Sequence, residues 1–127
     1  MADSGHRVRW LDEPEDKDYA AARSYLSLLV APDERDAIVE RLHDAPLGQW
    51  RAKDVLRAAQ LPLLGPKQSE EVAEKLARVR AKEALSPILI VVLEPHGRTQ
   101  IADGYHRTCA AYLAHEDTYV PGRILFA

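Results

Sequence analysis

The sequence is short of several things, and each shortage narrows what it can be. A single cysteine, Cys109, rules out an intramolecular disulfide and fits a reducing compartment. No apolar stretch approaches the roughly 20 residues that cross a bilayer; the longest, "ILIVVL" at 88 to 93, has the length of a strand. The start, "MADSGHRVRW", lacks the apolar centre of a secretory signal, so a cytoplasmic protein without a membrane partner is expected. There is no Gly-x-x-x-x-Gly-Lys and no Gly-x-Gly-x-x-Gly, hence no phosphate loop of either familiar kind. Metal spacings are absent too: His6, His43, His96, His106 and His115 are scattered over different segments, and structural zinc is not expected.

What remains is 127 residues, 46% hydrophobic and 29% charged, enough for one domain with a core. The net charge of −3 argues against a nucleic-acid coat. Charge is unevenly spread: residues 1 to 50 carry six Lys/Arg against eleven Asp/Glu, and residues 51 to 82 carry eight against four. Helix chemistry accounts for much of the basic middle. In "SEEVAEKLARVRAKEAL" the acids lie in the first turn and the bases toward the last, as the helix dipole favours.

Hydrophobic periodicity predicts a strand near "RVRWL" and a helix in "YAAARSYLSLLV" with Ala22, Tyr25, Leu26 and Leu29 on its apolar stripe. A second helix, "PDERDAIVERLHDA", buries Ile38 and Leu42, so that residues 1 to 48 form a helical extension built on a hairpin. "APLGQW" breaks the pattern. "RAKDVLRAAQ" reads as a helix with Val55, Leu56 and Ala59 inward, and "LPLLGPKQ" as a Pro/Gly loop. Residues 69 to 84 form a helix with Val72, Leu76 and Val79 on one face, stopped by Pro87. "ILIVVLE" is apolar and β-branched enough for a strand buried on both faces; "PHGR" turns it into "TQIAD". A helix over 105 to 115 and a last strand, "YVPGRILF", complete an α+β mixed sheet flanked by helices, one domain whose core spans 49 to 127.

The segment "DGYHR", 103 to 107, holds the densest chemistry. Gly104 permits a sharp joint between strand and helix, and the helix that starts there points unpaired N–H groups into it. With Tyr105, the imidazole of His106 and the fork of Arg107, this is a candidate anion site. Asp103 is placed to hold Mg²⁺ with phosphates or to accept a proton, which makes Asp103 and His106 the catalytic candidates. The plainer alternatives are a turn capped by Asp103 and a surface pair of Arg107 with Glu116 or Asp117. Weaker candidates are Lys53, Asp54 and Lys67, whose ordinary setting is a solvated helix start or loop. Trp50 could stack on a base or close a core, and Cys109, among alanines, reads as a small buried thiol.

In the order "SPILIVV", "IADGYHRTCAAYLA" and "VPGRIL", residues from about 52 to 126 resemble the ParB/sulfiredoxin superfamily, often labelled ParB-like nuclease domains. The resemblance implies a nucleotide at 103 to 107: CTP in partition proteins, ATP in sulfiredoxins, and ADP in free serine kinases, which carry a similar "DGH-R". Mg²⁺ would accompany that nucleotide, and if the domain is catalytic, phosphoryl transfer or phosphate-ester hydrolysis is the class expected. Tyr105 stands where sulfiredoxins have their reactive cysteine, so their reductase chemistry is excluded. Partition proteins have Glu-Arg-Arg where this chain has Tyr105, His106 and Arg107, and the sequence given shows no DNA-reading helix-turn-helix, so specific DNA binding is not expected. Two alternatives stand beside phosphate-ligand binding: an interaction or regulatory module that engages a partner or forms a homodimer through the N-terminal helices, and nucleic-acid binding or nuclease activity.

Overall fold

A computed structural model describes residues 7–95 and 97–127; His96, in the expected "PHGR" turn, and His6 lie outside the described residues. The chain opens on a two-residue strand β1 (Arg9–Trp10), followed by the helices α1 (Asp16–Leu26) and α2 (Pro32–Asp44). Strand β2 (Leu47–Arg51) leads straight into α3 (Ala52–Ala59), and a loop leads to α4 (Glu70–Arg80) and the short β3 (Ala84–Leu85). The hairpin β4 (Ile88–Val92) and β5 (Thr99–Asp103) feeds α5 (Tyr105–Ala114), and β6 (Tyr119–Phe126) is the last element.

The expected α+β class holds: among the described residues there are five helices, a mixed four-stranded sheet in the order β2-β6-β4-β5, and a small β1-β3 sheet. β4 lies parallel to β6 and antiparallel to β5, while β2 runs antiparallel along the other side of β6. Side chains alternate across β4. Ile88 and Ile90 enter one core with Ile101, Val120 and the inner faces of α3, α4 and α5. Leu89 and Val91 enter a second with Ala102 and with Tyr19, Ala22, Leu26, Ile38 and Leu42 from α1 and α2. This is why "ILIVV" carries no polar alternation: the strand is covered on both sides.

Local chemistry sets most helix limits. Pro32 occupies the first turn of α2 with Asp33 and Glu34, and Ser69 caps α4 by accepting the Val72 N–H at 3.2 Å. Val55, Leu56 and Ala59 are buried on α3 and Val72, Leu76 and Val79 on α4, as the periodicity predicts. Three expectations are corrected. The helix expected over 69 to 84 ends at Arg80, because Lys82 turns left-handed (φ 63°) and the Glu83 N–H returns to Arg78 O at 2.9 Å, freeing Ala84–Leu85 to pair with β1. "APLGQW" is more than a break, since its last residues enter β2 alongside β6. α1 starts earlier and buries Asp18, Tyr19, Ala22 and Leu26, leaving Tyr25 and Leu29 exposed.

The helical hairpin is fastened to the sheet by more than apolar contact. Arg123 on β6 donates to the Tyr19 hydroxyl at 3.1 Å and to the Ala45 carbonyl, and lies 3.3 Å from Glu13. His43 of α2 stacks on Tyr19 with ring centroids 3.6 Å apart.

Candidate functional site

The joint between β5 and α5 requires glycine twice over. Gly104 has φ +115°, a conformation that side chains resist, and a Cβ there would stand 2.3 Å from Ile88 Cγ2 and 2.6 Å from Ile88 Cβ. The tight approach lets α5 start directly over β4. Its first backbone bond runs from the Thr108 N–H to Gly104 O at 2.9 Å, so the N–H groups of Tyr105, His106 and Arg107 have no partner within the helix. No side chain caps them and no acid lies in the first turn. The alternative of a turn capped by Asp103 is therefore not what the chain adopts.

That helix start opens into a cleft of about 180 Å³. One wall is Asp103 to Arg107; the other is α4, through Glu71 and Lys75. These two residues stand four apart on one helix face, which is why both reach the cleft. His106 and Tyr105 are half-buried, their rings 5.3 Å apart, and the Tyr105 hydroxyl donates to Pro62 O at 2.6 Å, tying the Pro/Gly loop to α5. Glu71 is held below the usual carboxylate range by its own backbone N–H and by His106.

Arg107 differs most from a free anion-binding fork. Its side chain is 10% exposed, and Nη2 donates to Asp103 Oδ2 at 3.0 Å and to Pro87 O at 3.2 Å. Nη1 lies 3.6 Å from Asp18 Oδ1, reaching across from α1, and Nε is buried without a hydrogen-bond partner. The surface pairing with Glu116 or Asp117 does not occur; Asp117 lies 3.5 Å from Arg51 instead. Asp18 also accepts the Glu15 N–H at 2.8 Å and a hydrogen bond from Ser86.

These two acids divide in character. Burial pushes Asp103 up to about 6, with Arg107 pulling the other way and Asp18 adding to the rise. Burial also works to raise Asp18, but hydrogen bonds from Ser86 and the Glu15 N–H, together with the Arg107 charge, hold it below the usual carboxylate range. A carboxyl near neutrality beside one that stays ionised is the arrangement in which a proton acceptor works.

The weaker candidates lie elsewhere. Lys53 and Asp54 are exposed on α3, where Asp54 pairs with Arg57 at 3.5 Å, and Lys67 is exposed in the loop before α4; none of the three lines the cleft. Trp50 lies in β2 and packs against the core, and Cys109 is fully buried, its thiol pushed up by burial and accepting the Leu64 N–H at 3.5 Å. Sequence reading missed Glu71, Lys75, Ser86 and Asp18. Asp18 did leave a signal, as an acid four and eight residues before Ala22 and Leu26 on their stripe.

Among the described residues no group of three or more His, Cys, Asp or Glu side chains is placed to hold a metal ion, and no helix is long and apolar enough to cross a membrane. Comparison of the chain with protein-family models, with curated proteins and with solved structures returns no match.

Proposed function

We propose that this chain is a ParB/sulfiredoxin-like domain that binds a nucleotide or another phosphorylated small molecule in the cleft at Asp103–Arg107. The observation that carries the proposal is the uncapped start of α5, opening into a cleft that also presents Lys75 and His106. Unpaired N–H groups, a helix dipole and two nitrogen donors around one small space form the chemistry of a phosphate site. The order of α4, the short β3, the β4–β5 hairpin, α5 and β6 that follows residue 69 is in keeping with the family resemblance.

Phosphoryl transfer or phosphate-ester hydrolysis is the reaction class these groups suit. Lys75, His106 and the helix start would take phosphate charge, and Asp103, near neutrality, would accept a hydroxyl proton. Arg107 acts from behind: it orients Asp103 and does not itself offer a free fork. The Asp103 carboxylate is committed to Arg107, so the described residues supply no ready cage for Mg²⁺. The ion would come with the phosphates, held by their oxygens and by water, and would supply charge neutralisation.

The test is a thermal shift against CTP, ATP, ADP and GTP at millimolar concentration with Mg²⁺. A ligand at ten times its Kd should stabilise the fold by about 1.4 kcal/mol, a rise of several degrees. Lys75→Ala and His106→Ala should abolish the shift, and Lys53→Ala and Lys67→Ala should leave it intact. No shift with any nucleotide or with inorganic phosphate would refute the proposal.

A second reading, an interaction module, rests on the turn after α1, where Leu28 is 82% exposed beside exposed Tyr25 and Leu29. Light scattering after size exclusion tests self-association through it. A monomer at high concentration, unchanged by Leu28→Ser, would remove the homodimer.

A further inference from the structure

α1 brings a carboxylate to the back of the cleft, in register with Ala22 and Leu26, where a helix packed on a sheet ordinarily places an apolar side chain. Asp18 is 3% exposed and faces Arg107 Nη1 at 3.6 Å, while Asp103 holds the same guanidinium from the cleft side at 3.0 Å. One cation is thus shared between two carboxylates. The remaining charged side chains on the walls are Glu71 and Lys75. Lys75 is itself paired with Glu74 at 2.6 Å, so Arg107 alone is left to offset Glu71, Asp103 and Asp18, and the carboxylates around the cleft outnumber the cations. Of the three acids, only Asp18 does not line the cleft.

A surplus negative charge in the wall of an anion site opposes a ligand in proportion to the ligand's own charge. We propose that Asp18 is a specificity-determining residue of the cleft: by neutralising Arg107 from behind, it lowers affinity for free polyanions and sets the site for a single phosphate or a phosphate whose charge a cation already offsets. The inference rests on the phosphate-site reading and names the class of ligand that reading leaves open. It also gives the N-terminal hairpin a part in recognition, through a side chain that no ligand touches.

The variant to make is Asp18→Asn, which removes the charge and keeps an oxygen for the Glu15 N–H. Binding of inorganic phosphate and of tripolyphosphate, without Mg²⁺, is followed by calorimetry at pH 8 and low salt in the natural protein and the variant. The variant should bind phosphate about ten-fold more tightly, with a larger gain for tripolyphosphate, the scale expected of one partly screened charge a side-chain length away. A purely structural Asp18 would change the melting temperature without this dependence on ligand charge. Equal or weaker binding by the variant, with the natural protein binding normally, overturns the inference alone. Binding by neither protein overturns the phosphate site and the inference with it. Should Asp18→Asn not fold, Asp103→Asn removes the other shared carboxylate, and failure of that variant to tighten tripolyphosphate binding overturns the inference equally.

Discussion

Replacing Arg107 with methionine separates a guanidinium that serves a ligand from one that holds the protein together. The substitution keeps much of the side chain's bulk and removes the charge that faces Asp18 and Asp103, whose side chains are 4% and 17% exposed. Two acids on neighbouring elements would then face each other without a counter-ion. Removing one partner from a buried ion pair costs about 3–5 kcal/mol, a large share of the roughly 5–15 kcal/mol that a domain possesses. The loss has a definite pH dependence. Asp103 already has a folded value near 6 against an ordinary 3.8, so its contribution to stability is complete below about 4 and is lost as pH rises through 6. Arg107 lowers both carboxyls; without it both move up, and the variant loses stability over a wider rise in pH than the parent. Urea unfolding at pH 7.5 and pH 5.0 measures this, and the gap between variant and parent should narrow at pH 5.0. A gap of equal size at both values would mean that only packing was lost. A gap below about 1 kcal/mol at pH 7.5, with ligand binding gone, would mean that Arg107 belongs to the ligand and that the reasoning is wrong.

Two further outcomes follow from the joint and from the helix behind it. Gly104→Ala should cost about 3 kcal/mol or more in thermal or denaturant unfolding, from left-handed backbone strain together with the Ile88 contact; Gly65→Ala, which meets only the flexible Gln68 side chain at 3.3 Å, should cost far less, and equal costs would refute the argument from Ile88. The Cys109 thiol, fully buried with its ionisation pushed up, should react with a maleimide no faster than the protein unfolds, and immediate labelling of the native protein would contradict its placement.

What could be read from the sequence was what is local. The stripes of α2, α3 and α4 appear in the chain because burial repeats every three or four residues along each helix, and "ILIVV" announces its two covered faces by lacking polar residues. α1 misled because its stripe includes an acid: an apolar count favours Tyr25 and Leu29 over Asp18, and the partners that make Asp18 the inward residue, Ser86 and the Arg107 guanidinium, come from distant parts of the chain. β2 was hidden for a similar reason. "LGQWR" has neither alternation nor β-branched residues, and it becomes a strand through pairing with β6, some seventy positions later. Asp103 to Arg107 lie together in five consecutive residues, so the segment stood out. Lys75 and Glu71 joined it only when α4 packed beside α5, and nothing within their own helix marks them.

The place of β6 in the sheet bears on how the molecule is made. The last of the described strands in chain order lies between β2 and β4, and both must find it before either is fully paired. While residues 119 to 126 are still inside the ribosome, β2 has no partner and β4 has only β5, so the apolar faces of α2 and α3 have half a sheet to rest on. Completion of the four-stranded sheet thus waits on β6. During that interval the open edge of β4, "ILIVV", is the stretch of the nascent chain most in need of shielding from other chains.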